Sequence, residues 1–484
     1  DWVVGGVDRV GQGWRMLMSC LAAGRAISLP ASSTAGVKSL LRFTTAYARI
    51  RKQFSIPIGR MEGIEEPLAL LAETAYTLEA ARAVTSAMVS QGANTAVISG
   101  LMKYQSTERM RRCLDAAFDI HAGKGICDGP SNYLQSAFQI SPVSITVEGA
   151  NILTRSLIVF AQGALRSHPY LYSEVQAAQD PDSRAGFLAF EKAFEGHVGF
   201  AVSNLFGSLF HNATFGLLAS APANAPVPYY YRQLYRASTN FALMADLCVG
   251  LLGGGLKVKQ RTTARMADAL SELYFIACLL KRYEDDGRER FERPIFDYSV
   301  QRAFHNFYAA AHEVVENFPV RGVRPLLMFL IFPFGNHFRK PKDVLAKRVV
   351  HAVLEPGELR DRLTRFAFVS HDVNDPTGLL EVTMKKVVES DAADRKLERA
   401  IRAGTVKRYL GNDWFAEAVT KGVLSQQEAD LLRETEQLVA RVIAVDDFSQ
   451  EEVRPHYVPG DNLRAMLHNG AGAQPEAAEM QPAG

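Results

Sequence analysis

The chain has 484 residues, 48% of them hydrophobic, which suffices for two or three domains each with its own core. Its 54 basic and 52 acidic residues are interspersed and leave a net charge of +2, which excludes the basic stripe of a nucleic-acid binder. The five cysteines, Cys20, Cys113, Cys127, Cys248 and Cys278, are odd in number and widely spaced, with no CxxC pair. Neither a disulfide framework nor a zinc site is expected, and a reducing compartment suits them.

The opening Gly-rich stretch, Gly5 to Gly13, reads as a loop. Apolar residues then recur at three and four from Trp14 to Gln53 (Leu17, Leu21, Leu40, Leu41, Tyr47), which predicts a helix that Ser55–Gly59 (SIPIG) breaks. A long Ala- and Leu-rich helix is predicted from Ile64 to Gln91, and another from Thr95 to His121. Gly123 to Gly129 is a glycine-punctuated loop, Val143 to Val147 is a short strand candidate, and Glu148 to Gly163 begins a final helix. The fold class is therefore all-α, with an antiparallel helix bundle over residues 1–165.

Residues 166–184, rich in Ser, Pro, Gln and Asp, are expected to be a linker. A second, larger helical region follows over 185–460, interrupted by Ala221 to Pro228, and 461–484 has too few bulky apolar residues to pack and is expected to be disordered. No run of about 20 uninterrupted apolar residues is available to cross a bilayer. The most apolar stretch, Pro325 to Phe334, is short and contains Pro333. No secretory leader opens the sequence, which begins like the middle of a protein, so upstream domains are expected.

Two glycine motifs invite a nucleotide. GLLGGGLK at Gly250 has Leu256 where a phosphate loop needs Lys and no strand before it, so glycines at a helix interruption are the better reading. HAGKG at His121 also lacks a strand, yet its glycines let a ligand approach the backbone closely. Glu148, in TVEGANILTR, stands between an apolar run and a helix. Burial in an apolar pocket there would suit a carboxylate to take a proton from carbon, while a plain helix-capping role is the commoner outcome for these residues alone. Arg49, Arg51 and Lys52, ending in Phe54, could hold a pyrophosphate and stack an adenine, or form a solvated charged face. The histidines (among them His121, His168, His197 and His211) show no metal spacing, and no metal is expected.

These features occur in one order: RKQF, then LALLAETAYTLEAARA, then HAGKG, then VEGANILTR, with Arg51 and Glu148 97 positions apart. In that order the first 165 residues resemble the C-terminal helical domain of the acyl-CoA dehydrogenases, and VEGANIL with the long region after it is most similar to the bacterial long-chain type. The resemblance implies an FAD-dependent enzyme that converts medium- to long-chain fatty acyl-CoA to trans-2-enoyl-CoA in β-oxidation. Glu148 matches the family's catalytic base, which takes the α-proton while hydride leaves for flavin N5. Other members carry the base on an earlier helix before an Arg; that position here is Gly24, ahead of Arg25, which favours Glu148. By the same resemblance, Arg25 and Gly149 match substrate positions. Arg51, Gln53, Phe54, Asp119, Gly123 and Ala150 match positions that touch FAD, several of them across a subunit interface.

Three residues depart from the family pattern: Ala150 where Thr is common, Asp119 where Gln is usual, and Val147 where an aromatic precedes the Glu-Gly pair. The resemblance further implies a homodimer or homotetramer, and an electron-transfer flavoprotein or similar electron acceptor. It implies a cytoplasmic protein, and a fragment inactive without the domains that complete a flavin pocket. Residues 180–460 resemble the extra C-terminal region of long-chain members. There, PLLMFLIFPFG followed by Arg339, Lys340 and Lys342, and the Tyr229–Tyr231 cluster beside Arg232, could lie peripherally on an anionic inner-membrane face or form a buried helix with a basic end. An acyl-CoA oxidase and a non-catalytic helical interaction domain are the competing readings.

Overall fold

The computed structural model of the chain describes residues 2–409, 411–449 and 452. The expected disordered tail, 461–484, lies outside the described residues, as does the side chain of Cys20. The expectation of an all-α fold holds. Among the described residues the only sheet is a two-residue antiparallel hairpin, β1 (Lys52–Gln53) with β2 (Ile56–Pro57).

The single helix expected over Trp14–Gln53 is two, α1 (Gly13–Ala26) and α2 (Ser28–Ile50). Pro30 accounts for the break, because its ring would clash with the carbonyl four residues back and is tolerated only in a first helical turn. At the hairpin, Phe54 (φ 52°) and Ser55 (φ 63°) both take left-handed backbone, the requirement of a two-residue turn that matches strand twist. α3 (Glu62–Ser90) and α4 (Ala96–His121) complete the bundle against α2.

The strand candidate Val143–Val147 is instead the end of a helix, α5 (Gln135–Thr146), with Val147 extended beyond it. A short apolar β-branched run cannot be told from a helix by periodicity alone, and here no strand lies alongside to pair with it. After Glu148 the chain re-enters helix at Asn151–Leu153 and continues as a π-helical stretch, Thr154–Gln162, to Gly163–Ser167.

The stretch 166–184 holds a helix, α6 (Leu171–Ala178), rather than only a linker. The helix is only eight residues long, and His168 caps it by accepting the Tyr170 and Leu171 N–H groups on Nδ1 (3.3 and 3.2 Å). α7 (Ser183–Ala213), α8 (Pro228–Leu252), α9 (Gln260–Asp285), α10 (Arg293–Glu316), α11 (Val323–Ile331), α12 (Asp343–Leu354), α13 (Pro376–Arg402) and α14 (Gln426–Ile443) follow. GLLGGGLK becomes a 3-10 turn, Gly253–Lys257, after α8, with no strand before it.

One contiguous core runs from Val37 to Val442, so the bundle and the second helical region pack as a shared interior. A small satellite core, with Leu397, Phe415 and Leu432, closes the far end. Buried ion pairs cross the same junction. Arg109 of α4 lies between Glu73 of α3 (3.4 Å) and Glu272 of α9 (2.7 Å), and burial raises the Glu272 carboxyl above its ordinary value despite the cation.

α7 is packed inside out. Ser208 and Asn212 are its buried side chains, bonded to Asn240 of α8, whereas Phe187, Phe194, Val198, Val202, Phe206 and Phe210 face outward. One helical stretch, Pro228–Lys257, contains an 18-residue window with the length and apolarity of a membrane crossing (mean hydropathy 1.4 over that window), although Arg232, Arg236 and Asp246 interrupt the stretch as a whole, as the sequence expectation requires. Its buried Gln233, Arg236 and Asn240 are hydrogen-bonded to neighbouring elements, as in a bundle helix.

Candidate active site

The residues singled out in the sequence fall into two groups. The first gathers around the connection from α5 to Asn151. Glu148 has φ 56° and Gly149 φ 102°, two left-handed residues in succession. For a residue with a side chain this backbone costs about 1 kcal/mol or more, so it persists only where neighbours hold it. Arg25, at the end of α1 and buried, donates from Nε to the Glu148 carbonyl at 2.6 Å. Lys103 of α4, 0% exposed, donates from Nζ to the Gly149 carbonyl at 2.8 Å and to Asn151 Oδ1 at 2.6 Å. Asn151 in turn donates to Thr107 Oγ1 and Glu108 Oε1, both at 2.9 Å.

Both neighbouring glycines shape the site, Gly149 through its backbone and Gly24 through the space it leaves. A Cβ on Gly149 would lie 3.2 Å from Arg25 Nη2 in a backbone region L side chains rarely adopt. A Cβ on Gly24 would lie 2.5 Å from Glu148 Oε1, so the glycine leaves room for the carboxylate beside α1. Glu148 Oε2 is buried with no hydrogen-bond partner. An acceptor so placed needs an explanation, and a proton-bearing ligand supplies one. Burial lowers both cations beside it, the Arg25 guanidinium slightly offset by Glu148, and the Lys103 ammonium to about 8. Ala150, exposed, adjoins this group.

The second group lies at the far ends of α2 and α4. Arg51 donates to the Tyr47 hydroxyl at 2.7 Å, and Tyr47 stacks on His121 with ring centroids 4.3 Å apart. That stack joins the RKQF helix end to HAGKG, which is the end of α4 followed by a short helix, Gly123–Ile126, rather than the expected loop. His121 is fully buried, accepts or donates at Tyr133 OH (2.8 Å), and burial lowers its pKa to about 4. Gln53, Asp119 and Gly123 are exposed, Phe54 stands out at 91% exposure, and nothing lies within 4 Å of where a Gly123 Cβ would be.

The two groups are not one site. At 1.5 Å per residue, the 23 residues of α2 separate Arg25 from Arg51 by about 34 Å, and 18 residues of α4 separate Lys103 from His121 by about 27 Å. Of the basic cluster, only Arg51 is left without an acidic partner among the described residues. Arg49 is 1% exposed and bound to Glu355 (3.0 Å) and Asp391 (2.5 Å), and Lys52 pairs with Asp394 (2.5 Å).

Two features escaped the sequence. Lys103 sits in a charged helix where a solvated lysine is the ordinary outcome, and only the TERMRR run beside it marks that helix. Metal spacing was absent, yet the fold brings His168, His197 and Asp246 within 4.8 Å of one another. Because His168 Nδ1 accepts backbone N–H groups, its Nε2 carries the proton and donates to Asp246 (2.7 Å), while His197 Nδ1 bonds Glu174 (2.8 Å). The cluster thus ties α6, α7 and α8 together by hydrogen bonds without needing an ion.

A helical bundle with a carboxylate at the turn before its last helix, joined to a large second helical region, defines a recognisable class. Residues 11–161 match the acyl-CoA dehydrogenase C-terminal domain, and residues 165–448 match the bacterial-type acyl-CoA dehydrogenase C-terminal family. The chain belongs to the acyl-CoA dehydrogenase family, in its bacterial type.

A probable acyl-CoA dehydrogenase of Mycobacterium tuberculosis, FadE10, is 31% identical over 120 residues, 25% of this chain and 18% of that protein. A 46-residue stretch, 10% of this chain, is 52% identical to protein HemX of Proteus mirabilis and covers 27% of it. The chain therefore spans under a third of the length of these curated relatives. Among solved structures, an acyl-CoA dehydrogenase from Bacillus anthracis, complexed with FAD, superposes with a TM-score of 0.53 at 19% identity, over 71% of this chain and 57% of that one. At that identity the likeness is one of fold.

Proposed function

We propose that the chain carries the base-bearing part of an FAD-dependent acyl-CoA dehydrogenase that converts medium- to long-chain acyl-CoA to trans-2-enoyl-CoA in β-oxidation. The observation that carries this reading is the partnerless, buried Oε2 of Glu148, on a strained turn whose carbonyls are held by Arg25 and Lys103. Glu148 takes the α-proton, the α–β double bond forms, and the β-hydrogen leaves as hydride. FAD supplies the hydride acceptor. Fixing the carboxylate replaces a search over side-chain positions with a single approach to the α-carbon. Gly149 lets the substrate come close to the backbone, and Arg25 adds positive charge beside the thioester that becomes electron-rich.

Ala150 adjoins the base as a flavin position. Arg51, Gln53, Phe54, Asp119 and Gly123 fit an adenine dinucleotide in kind: an acid-free guanidinium, an exposed aromatic ring and an open glycine backbone. The roughly 27–34 Å of helix that lies between this group and the Arg25 and Lys103 that hold the Glu148 turn supports their serving the cofactor of a neighbouring subunit, hence a homo-oligomer, with an electron-transfer flavoprotein or similar protein as acceptor. The test is palmitoyl-CoA dehydrogenation with a dye acceptor by protein expressed from its whole reading frame. Glu148→Gln should keep its flavin and lose about 10²–10⁴-fold in turnover. Wild-type turnover by the variant would remove Glu148 as base and this reading with it.

The protein is cytoplasmic and meets the inner membrane through the outward face of α7. Phe187 to Phe210 form an apolar row about 35 Å long at the 1.5 Å rise. Phe215, stacked on Phe334, and the exposed Phe329 continue it. Arg339, Lys340 and Lys342, exposed and without ion pairs among the described residues, follow Phe334, and their charge fits an anionic lipid surface. Sedimentation with anionic but not neutral vesicles, lost on Phe194→Ser with Phe206→Ser, supports this. Unchanged vesicle binding by that variant, or dimer dissociation in its place, overturns it.

A further inference from the structure

Glu148 can act only if its turn is held, and the turn is held from two sides. The carbonyl of Glu148 points to Arg25 on α1, and the next carbonyl, that of Gly149, points to Lys103 on α4. We propose that Lys103 is a positioning residue for the proton-abstracting step: its ammonium grips the Gly149 carbonyl and Asn151, on either side of Ala150, and so fixes where the Glu148 carboxylate stands. The inference rests on the reading of Glu148 as the base.

Four observations carry it. The lysine is wholly buried, a placement that excludes a solvated role. Its charge has no carboxylate within ion-pair distance among the described residues, so its stabilisation comes from the two oxygens it binds, at 2.8 and 2.6 Å. Those oxygens bracket the turn, and Asn151 is itself fastened to Thr107 and Glu108 one turn further along α4. Finally, the turn has two consecutive positive φ angles, one of them at a residue with a side chain, and such backbone relaxes when its partners are removed. Thr154 Oγ1 also reaches the Gly149 carbonyl, but at 3.3 Å, and cannot replace a charged donor. Lowering of the ammonium to about 8 by burial agrees with a group kept for its geometry.

The test separates positioning from folding and from the assignment of the base. A 3-thia-acyl-CoA, which has sulfur at the β-position and so cannot release hydride, still exchanges its α-hydrogens with heavy water when a base acts on them. In flavin-loaded protein from the whole reading frame, Lys103→Met should slow this exchange by about 10²-fold, the effect of a misplacement near 1 Å. Flavin content and the Kd for the analogue should stay within about twofold of wild type, because neither depends on where the carboxylate stands. Lys103→Arg retains the charge but not the reach to both oxygens, and should recover part of the rate. If Lys103→Met does not fold, Lys103→Arg decides alone: a loss of tenfold or more at unchanged Kd upholds the role, and a wild-type rate overturns it. Exchange at the wild-type rate in Lys103→Met, or a loss that comes only with loss of flavin and analogue binding, also overturns it. Glu148→Gln is the control. Undiminished exchange there removes the base assignment, whereas abolished exchange there with a wild-type Lys103→Met removes only the positioning role.

Discussion

Gly24 of α1 and Glu148 occupy one place from two directions: a Cβ on Gly24 would come 2.5 Å from Glu148 Oε1. The clash is with a carboxylate oxygen at the end of a short side chain whose turn is already held by Arg25 and Lys103. The backbone of the turn stays where those two cations hold it, so an added Cβ is met by movement of the carboxylate itself.

Gly24→Ala is therefore expected to lower turnover more than it lowers stability. α1 is helical through residue 24, and Ala is the better helix former there by about 0.5–1 kcal/mol. Displacement of the carboxylate by about 1 Å predicts a loss near 10²-fold in kcat. Measured together, thermal midpoint and kcat should move apart: the midpoint within a few degrees, kcat down. Wild-type kcat would show that Glu148 stands elsewhere in the working enzyme.

Arg49 was expected to face a ligand or solvent and instead stitches α2 to the second helical region. It is 1% exposed and bound to Glu355 and Asp391, residues 306 and 342 positions away. Arg49→Met removes the cation but leaves the two acids, each partly open to water. The expected cost is about 2–3 kcal/mol, below the full penalty for a wholly buried broken pair. Urea unfolding should show the loss as a lower midpoint at unchanged slope. A midpoint equal to wild type would mean that the pair contributes nothing net.

What the sequence revealed and what it concealed divide along one physical line. The bundle helices were legible because their apolar spacing is local, whereas Glu148 is singled out only by the order of RKQF, HAGKG and VEGANILTR, since a carboxylate before a helix is more commonly a cap. Lys103, Arg49 and the His168–His197–Asp246 cluster owe their surroundings to residues between 23 and 342 positions away, which no periodicity encodes. The helix over 171–178 was missed for the opposite reason. It is local, but its cap is a histidine rather than Ser, Asp or Asn, and it is only eight residues long. Val143–Val147 shows that a β-branched run forms a strand only where a neighbour can pair with it.

His121 gives the pH dependence a definite sign. Burial holds its folded-state pKa at about 4, below the 6.5 of an exposed imidazole. Between those values the unfolded chain binds the extra proton and the folded chain does not, so stability rises with pH across that window and falls as pH drops from 6.5 toward 4. The span of about 2.5 units corresponds to about 3 kcal/mol when complete. Protonation would also place a cation under Tyr47, which already faces the guanidinium of Arg51, so the stack between RKQF and HAGKG is the part expected to loosen first. His121→Gln should flatten the stability profile between pH 6.5 and 4 relative to wild type, at some cost in stability at pH 7 from the lost stacking. Chemical denaturation at pH 7, 5.5 and 4.5 tests this. Parallel pH profiles for the two proteins would place the acid sensitivity in other groups and leave His121 as a packing residue.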